Sequence, residues 1–151
     1  MNLRKVNSKK QERKVAKELA GKVTPASGAL WGAKADVRND IFLVECKTTQ
    51  NSYYSITFAV WNKINSEAIK DSLRLPVMCI DLNNGKYRYA VMNSKDVPDE
   101  VMYDIEIHKS GKSSFRISSP TVNTISRGAK SYELCVFDWE IFLNEVVPIY
   151  K

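Results

Sequence analysis

The chain alternates between two hydrophobic periods, and their order predicts its architecture. Helical spacing comes first. Val15, Ala16, Leu19 and Ala20 fall on one stripe, with Ser8 and Gln11 at capping-box spacing and Gly21 as a stop. Residues 1–7 read as a loose basic arm. A small-residue stretch, TPASGALWGAK over 24–34, reads as a loop or irregular strand, with Trp31 either a core plug or an exposed stacking surface. A period of two follows. In ADVRNDIFLVECK, residues 35–47, Asn39-Asp40 is a plausible hairpin turn. Phe42, Val44 and Cys46 then take one face, and Asp36, Leu43, Glu45 and Lys47 the other. Opposing Asp36 to Leu43 makes Asp36 and Glu45 diagonal neighbours, with backbones roughly 7–8 Å apart.

Beyond the hairpin, residues 48–57 read as a polar loop. A helix over 58–73 carries Trp61, Ile64 and Ala68 at helical spacing. Pro76–Leu82 reads as a buried strand, Asn83-Asn84-Gly85 as a turn and Tyr87–Met92 as the returning strand. Residues 94–98 suit a short helical turn and 103–108 a short strand. Residues 109–131 read as irregular, and 137–147 as a closing helix with Asp138 at its N-cap. These elements predict a single α/β domain, a mixed central sheet flanked by helices, with a core over about 8–92 and an extension over 93–151.

Charge adds a partner class. The net charge is +6, and residues 1–22 alone hold eight Lys/Arg against two Glu. Lys109, Lys112, Arg116, Arg127 and Lys130 form a second acid-free segment. Two basic segments on an otherwise neutral body fit either a polyanion partner or solvated surfaces. Composition excludes other classes. No apolar run approaches the length of a membrane span. The polar, basic start lacks the apolar run of a secretory signal. Cys46, Cys79 and Cys135 lie far apart inside apolar runs, as buried free thiols of a cytoplasmic protein do. With one histidine, His108, and no CxxC pair, a metal would have to be held by carboxylates.

Asp36 and Glu45 on one hairpin face supply such carboxylates, and the Cys46 carbonyl is a further oxygen donor. Lys47, two residues on, could orient or deprotonate a water, or neutralise a phosphate. Glu12 lies on the inward stripe of the first helix. It is either a fourth member of the set or a first-turn acid favoured by the helix dipole.

The string D-x8-E-x-K closing an apolar strand resembles the core motif of the PD-(D/E)xK nuclease superfamily, and the element order resembles its restriction-endonuclease-like αβββαβ core. Gln11-Glu12-Arg13, Ser27-Gly28, Asp36 and Glu45-Cys46-Lys47 are similar to archaeal-type Holliday junction resolvases and related phage endonucleases. Residue 35 is Ala where that pattern often has Pro. The resemblance implies an active-site set of Glu12, Ser27, Asp36, Glu45 and Lys47. It implies Mg²⁺, with Mn²⁺ as a substitute, held by Asp36, Glu45, Glu12 and the Cys46 carbonyl. It implies DNA, a four-way junction above all, as substrate and a homodimer as the working form. Phosphate contacts are then expected from Arg4, Lys5, Lys9, Lys10, Arg13, Lys34, Arg116, Arg127 and Lys130. A nuclease of the same superfamily acting on other DNA, and a DNA-binding protein that keeps the fold without chemistry, are the alternatives.

Overall fold

A computed structural model describes residues 3–24, 36–70, 73–102, 106–109, 114–118, 124–127 and 133–151. The fold is α/β with a mixed central sheet. Helix α1 (Leu3–Glu18) leads into β1 (Lys22–Val23), β2 (Val37–Arg38), β3 (Phe42–Thr48) and β4 (Tyr53–Thr57). Helix α2 (Phe58–Lys70) precedes β5 (Leu75–Leu82) and β6 (Tyr87–Asn93). A short α3 (Asp99–Met102), β7 (Glu106–Lys109), β8 (Ser114–Ser118), β9 (Thr124–Arg127) and β10 (Glu133–Asp138) follow. The chain closes with α4 (Trp139–Ile141), a π-helical turn (Phe142–Val146) and α5 (Val147–Tyr150).

Among the described residues, eight strands form one sheet in the order β1-β2-β3-β5-β6-β10-β9-β7. Strands β3 and β5 are parallel, as a crossover through α2 requires. The sheet is buried on both faces. Phe42, Val44, Cys46, Val77, Cys79, Ala90, Cys135 and Phe137 pack with Val15 and Leu19 of α1 and with the C-terminal helical segment. On the other face, Met78, Ile80, Val91, Leu134 and Val136 meet Trp61 and Ile64 of α2. Because β10 pairs with β6 over five residues, the region after residue 92 completes the same sheet.

The hairpin register differs from expectation. Val37 faces Val44 and Arg38 faces Leu43, so the turn is Asp40-Ile41. Asn39 sets it: its Oδ1 accepts the Ile41 and Phe42 N–H groups at 2.8 and 2.7 Å, and its own N–H bonds the Phe42 carbonyl at 3.1 Å. The shift relative to the expected pairing is two residues, so every side chain keeps its face. Its effect is to bring Asp36 opposite Glu45 instead of diagonal to it.

Other expectations are corrected too. Helix α1 begins at Leu3 instead of Ser8, because the run of Lys, Arg, Gln and Glu propagates a helix well. Ala20, not Gly21, takes the left-handed turn, at φ 51. Gly21 is needed for a close approach: a Cβ there would lie 2.5 Å from the Arg38 carbonyl oxygen of β2. The expected polar loop at 48–57 contains β4, which pairs antiparallel with β8 in a second, two-stranded sheet. Residues expected to be irregular thus supply β8 and β9. Phe137 and Asp138, expected in and at the cap of the closing helix, lie in strand β10. Asp138 precedes α4 but makes no side-chain cap bond.

The interior holds one ionic network. Arg88 Nη1 and Nη2 donate to the two Glu18 oxygens at 2.9 and 2.8 Å, and Nε donates to Asp81 Oδ1 at 3.3 Å. The guanidinium lies 5.6 Å from the Trp139 ring, whose Nε1 donates to Glu18. Replacing Arg88 with Met should cost about 3 kcal/mol, because Glu18 and Asp81 would be left charged and unpaired in a largely buried site. Denaturant unfolding measures it, and Glu18→Gln in the same chain should return part of the loss.

Candidate functional site

Strand β3 presents Leu43, Glu45 and Lys47 on the α2 face of the sheet, beside Met78 and Ile80 of β5. Helix α1 covers the opposite face. Asp36 joins the two sides at the start of β2, where its carbonyl accepts the Thr24 N–H at 2.8 Å. Its Oδ2 accepts the Cys46 N–H at 2.8 Å. That bond occupies the place a longer β2 would have filled. A strand residue sends its N–H and C=O to the same side, so the Cys46 carbonyl also points toward Asp36.

Four of the five expected residues, Glu12, Asp36, Glu45 and Lys47, lie together here. The Asp36 carboxyl is in hydrogen-bonding reach of both Glu12 and Glu45, and Lys47 Nζ lies 3.4 Å from Glu45 Oε1. Burial pushes the Glu45 carboxyl up to about 7, and the charge of Asp36 adds to the effect. Glu67 of α2, half-buried and 3.9 Å from Lys63, pushes Glu45 the same way. Burial likewise raises Asp36 against the Cys46 N–H and Lys47, which favour its charged form. Glu12 is raised by burial and then by Asp36. Burial alone would lower Lys47, but Glu45, the Tyr54 phenol and Asp36 outweigh it, so its ammonium is held more firmly than usual. The common cause is a surplus of carboxylates in a shielded place.

Hard oxygen donors and surplus negative charge fit a divalent cation in chemistry. Among the described residues, however, no three His, Cys, Asp or Glu side chains are already grouped as a metal-holding set. Asp36 and Glu45 are turned instead toward internal partners, the Cys46 N–H and the Lys47 ammonium.

Gln11 supports the site from beneath. It is 4% exposed, and its Nε2 donates to the Lys47 carbonyl at 2.9 Å and the Cys79 carbonyl at 3.1 Å. Sequence reasoning assigned Gln11 to a cap and passed over Glu67. The available signal was a polar residue on an apolar stripe, four before Val15.

The expected phosphate contacts divide. Lys9, Lys10 and Arg13 are exposed on α1, and Arg116 is exposed on β8. Arg4 and Lys5 lie on α1 and Arg127 on β9, with side chains outside the described part. Ser27, Lys34, Lys130 and Trp31 lie outside the described residues. Among the described residues, no helix is long and apolar enough to cross a membrane. All three cysteines are buried and free. Compared with protein-family models, curated proteins and solved structures, the chain matches none.

The raised carboxyl gives a signed expectation. Glu45 binds its proton more tightly in the fold than its ordinary value of 4.5 allows when unfolded. Stability present below pH 4.5 is therefore lost as pH rises to about 7. Glu45→Gln should stabilise the protein at pH 8 by on the order of 1–2 kcal/mol, the gain vanishing near pH 4. Thermal melts of both proteins across that range check it.

Proposed function

We propose that this protein is a divalent-metal-dependent, structure-selective DNA endonuclease, with four-way (Holliday) junctions as its favoured substrate. One observation carries the reading: the Asp36 carboxyl stands between those of Glu12 and Glu45, with the Lys47 ammonium beside them. The resemblance of these residues and their order to archaeal-type Holliday junction resolvases supports it.

Asp36, Glu45, Glu12 and the Cys46 carbonyl would hold the ion, Mg²⁺ or in its place Mn²⁺. Such an ion, when bound, polarises the phosphoryl group and lowers the pKa of water. Lys47 keeps its proton, so its part is to neutralise the scissile phosphate and the charge that develops on it, rather than to act as a base. Gln11 fixes the Lys47 backbone, and Asp36 fixes the Cys46 amide. Both hold β3 rigid where the chemistry would take place. The exposed lysines of α1, with Arg13 and Arg116, would contact phosphates without reading sequence. A twofold dimer would place two such sites for paired cuts.

The internal partners of Asp36 and Glu45, the Cys46 N–H and the Lys47 ammonium, also suit a reading without chemistry, a DNA-binding protein of the same architecture. Cleavage of a labelled four-way junction with Mg²⁺ decides between the two. Wild type should cut junctions in preference to linear duplex. Asp36→Asn and Glu45→Gln should each lose at least a hundredfold in rate while still binding DNA. Equal cutting of junctions and linear duplex would leave a nuclease of another purpose, and no cutting of any DNA would leave the binding protein. Mg²⁺ should also raise the melting temperature of wild type and have little effect on an Asp36→Asn, Glu45→Gln double variant.

Binding itself should weaken roughly a hundredfold between 50 and 200 mM salt if about four phosphates are neutralised. A fluorescence-anisotropy titration over that range measures the slope.

A further inference from the structure

A groove of about 820 Å³ opens directly beside Lys47. Its walls include Lys47, Thr49, Asn51, Tyr53, Tyr54 and Asn84. Among the described residues that line it, Lys47 is the sole charged one; the rest offer amides, hydroxyls and two phenol rings. Such a lining suits neither a row of phosphates nor a buried apolar segment. It supplies what a nucleobase needs: donors and acceptors for an edge, and a ring for a face.

The groove is built rather than incidental. The loop after β3 is tied to the β5–β6 connection by three backbone bonds. These are Thr49 N–H to the Asp81 carbonyl at 3.0 Å, Asn83 N–H to the Asn51 carbonyl at 2.9 Å and Asn84 N–H to the Thr49 carbonyl at 3.0 Å. Asn83 and Asn84 adopt left-handed backbone angles to make this joint, at φ 50 and 57. On the far wall, β4 presents its residues alternately. Tyr54 packs into the core against α2, and Tyr53 stays 43% exposed. The Arg116 guanidinium of β8 lies over one face of the Tyr53 ring, 4.4 Å from its centroid, so a base would stack on the other face. Lys47 lines the groove and pairs with Glu45 of the candidate site at 3.4 Å, so the two are continuous.

We infer that this groove takes one unpaired nucleobase next to the phosphate held at Lys47, with the base stacked on Tyr53 and its edge met by Asn51, Asn84 and Thr49. The inference rests on the nuclease reading, and it narrows the substrate class. DNA with an unpaired or easily unpaired nucleotide beside the scissile bond is preferred over a perfect duplex, because a stacked base pair cannot enter.

Binding without metal tests this apart from catalysis. Wild type in EDTA is titrated with three otherwise identical duplexes: fully paired, with a single-nucleotide bulge, and with an abasic residue in that bulge. The bulged duplex should bind about tenfold more tightly than the other two, as one base stacked on an aromatic ring allows. Tyr53→Ala should reduce the preference to within about threefold, and Tyr53→Phe, which keeps the ring, should retain it. Equal binding of the base-containing and abasic bulges, or an undiminished preference in Tyr53→Ala, overturns the subsite. A protein that shows the preference but cuts no DNA with Mg²⁺ keeps the subsite and loses the nuclease reading. A protein that cuts junctions without the preference loses only the subsite.

Discussion

The Arg88 guanidinium is the contact on which the arrangement of this protein depends. It reaches Glu18 at the end of α1, Asp81 on the neighbouring strand and the face of Trp139 at the start of the closing segment. Three parts of the chain far apart in sequence are therefore pinned to one planar cation. A guanidinium suits the task because its fixed fork meets a carboxylate with two bonds and leaves its face for an aromatic ring. Apolar packing of Val15 and Leu19 supplies most of the force that holds α1 down. Such packing is tolerant of sliding, whereas a bidentate ion pair is not. The pair sets where along the sheet the helix rests.

That placement decides whether Glu12 can act with the hairpin. Glu45 and Lys47 project on the α2 side and α1 lies on the other, so a helix carboxylate meets them through Asp36 at the start of β2. Asp36 stands just before the short β2, and its side chain takes the Cys46 N–H. Gly21 admits the Arg38 carbonyl at the end of α1, which keeps the helix tight against β2. Gln11, one residue before Glu12, is bonded to the backbones of β3 and β5. The convergence of three carboxyls follows from these four local facts and from no long-range plan beyond the sheet itself.

Much of this was legible in the chain. The alternation in residues 36–47 placed Asp36, Glu45 and Lys47 on one face, and a register error of two residues left the faces intact. The helical stripe placed Glu12 inward. What the periodicity concealed were polar residues with a packing role. Gln11 and Glu18 flank Val15 on its own stripe, and Arg88 alternates with buried Ala90 and Met92. Each is a polar group at an apolar position, a pattern that identifies a buried network only when the partner strand is known. The β4–β8 pair escaped for a different reason. Its strands are five residues each, separated by more than fifty residues of chain, and alternation in Tyr54 and Ile56 alone does not reveal a distant partner.

The charge state of Lys47 constrains any chemistry at this place. A lysine becomes a base in proteins when burial or a neighbouring cation strips its proton. Here Glu45, Tyr54 and Asp36 do the reverse. The amine is therefore a fixed positive charge set against three carboxyls that each hold protons more tightly than usual. Of the three, Glu45, pushed up to about 7, is the one placed to take up a proton near neutral pH. Under the proposed function, Asp36, Glu45 and Glu12 would hold a divalent cation in their charged forms. The ammonium would then be freed from Glu45 to meet an incoming phosphate. Under the proposed nuclease reading, metal and phosphate would both compete for one ion pair, Glu45 with Lys47.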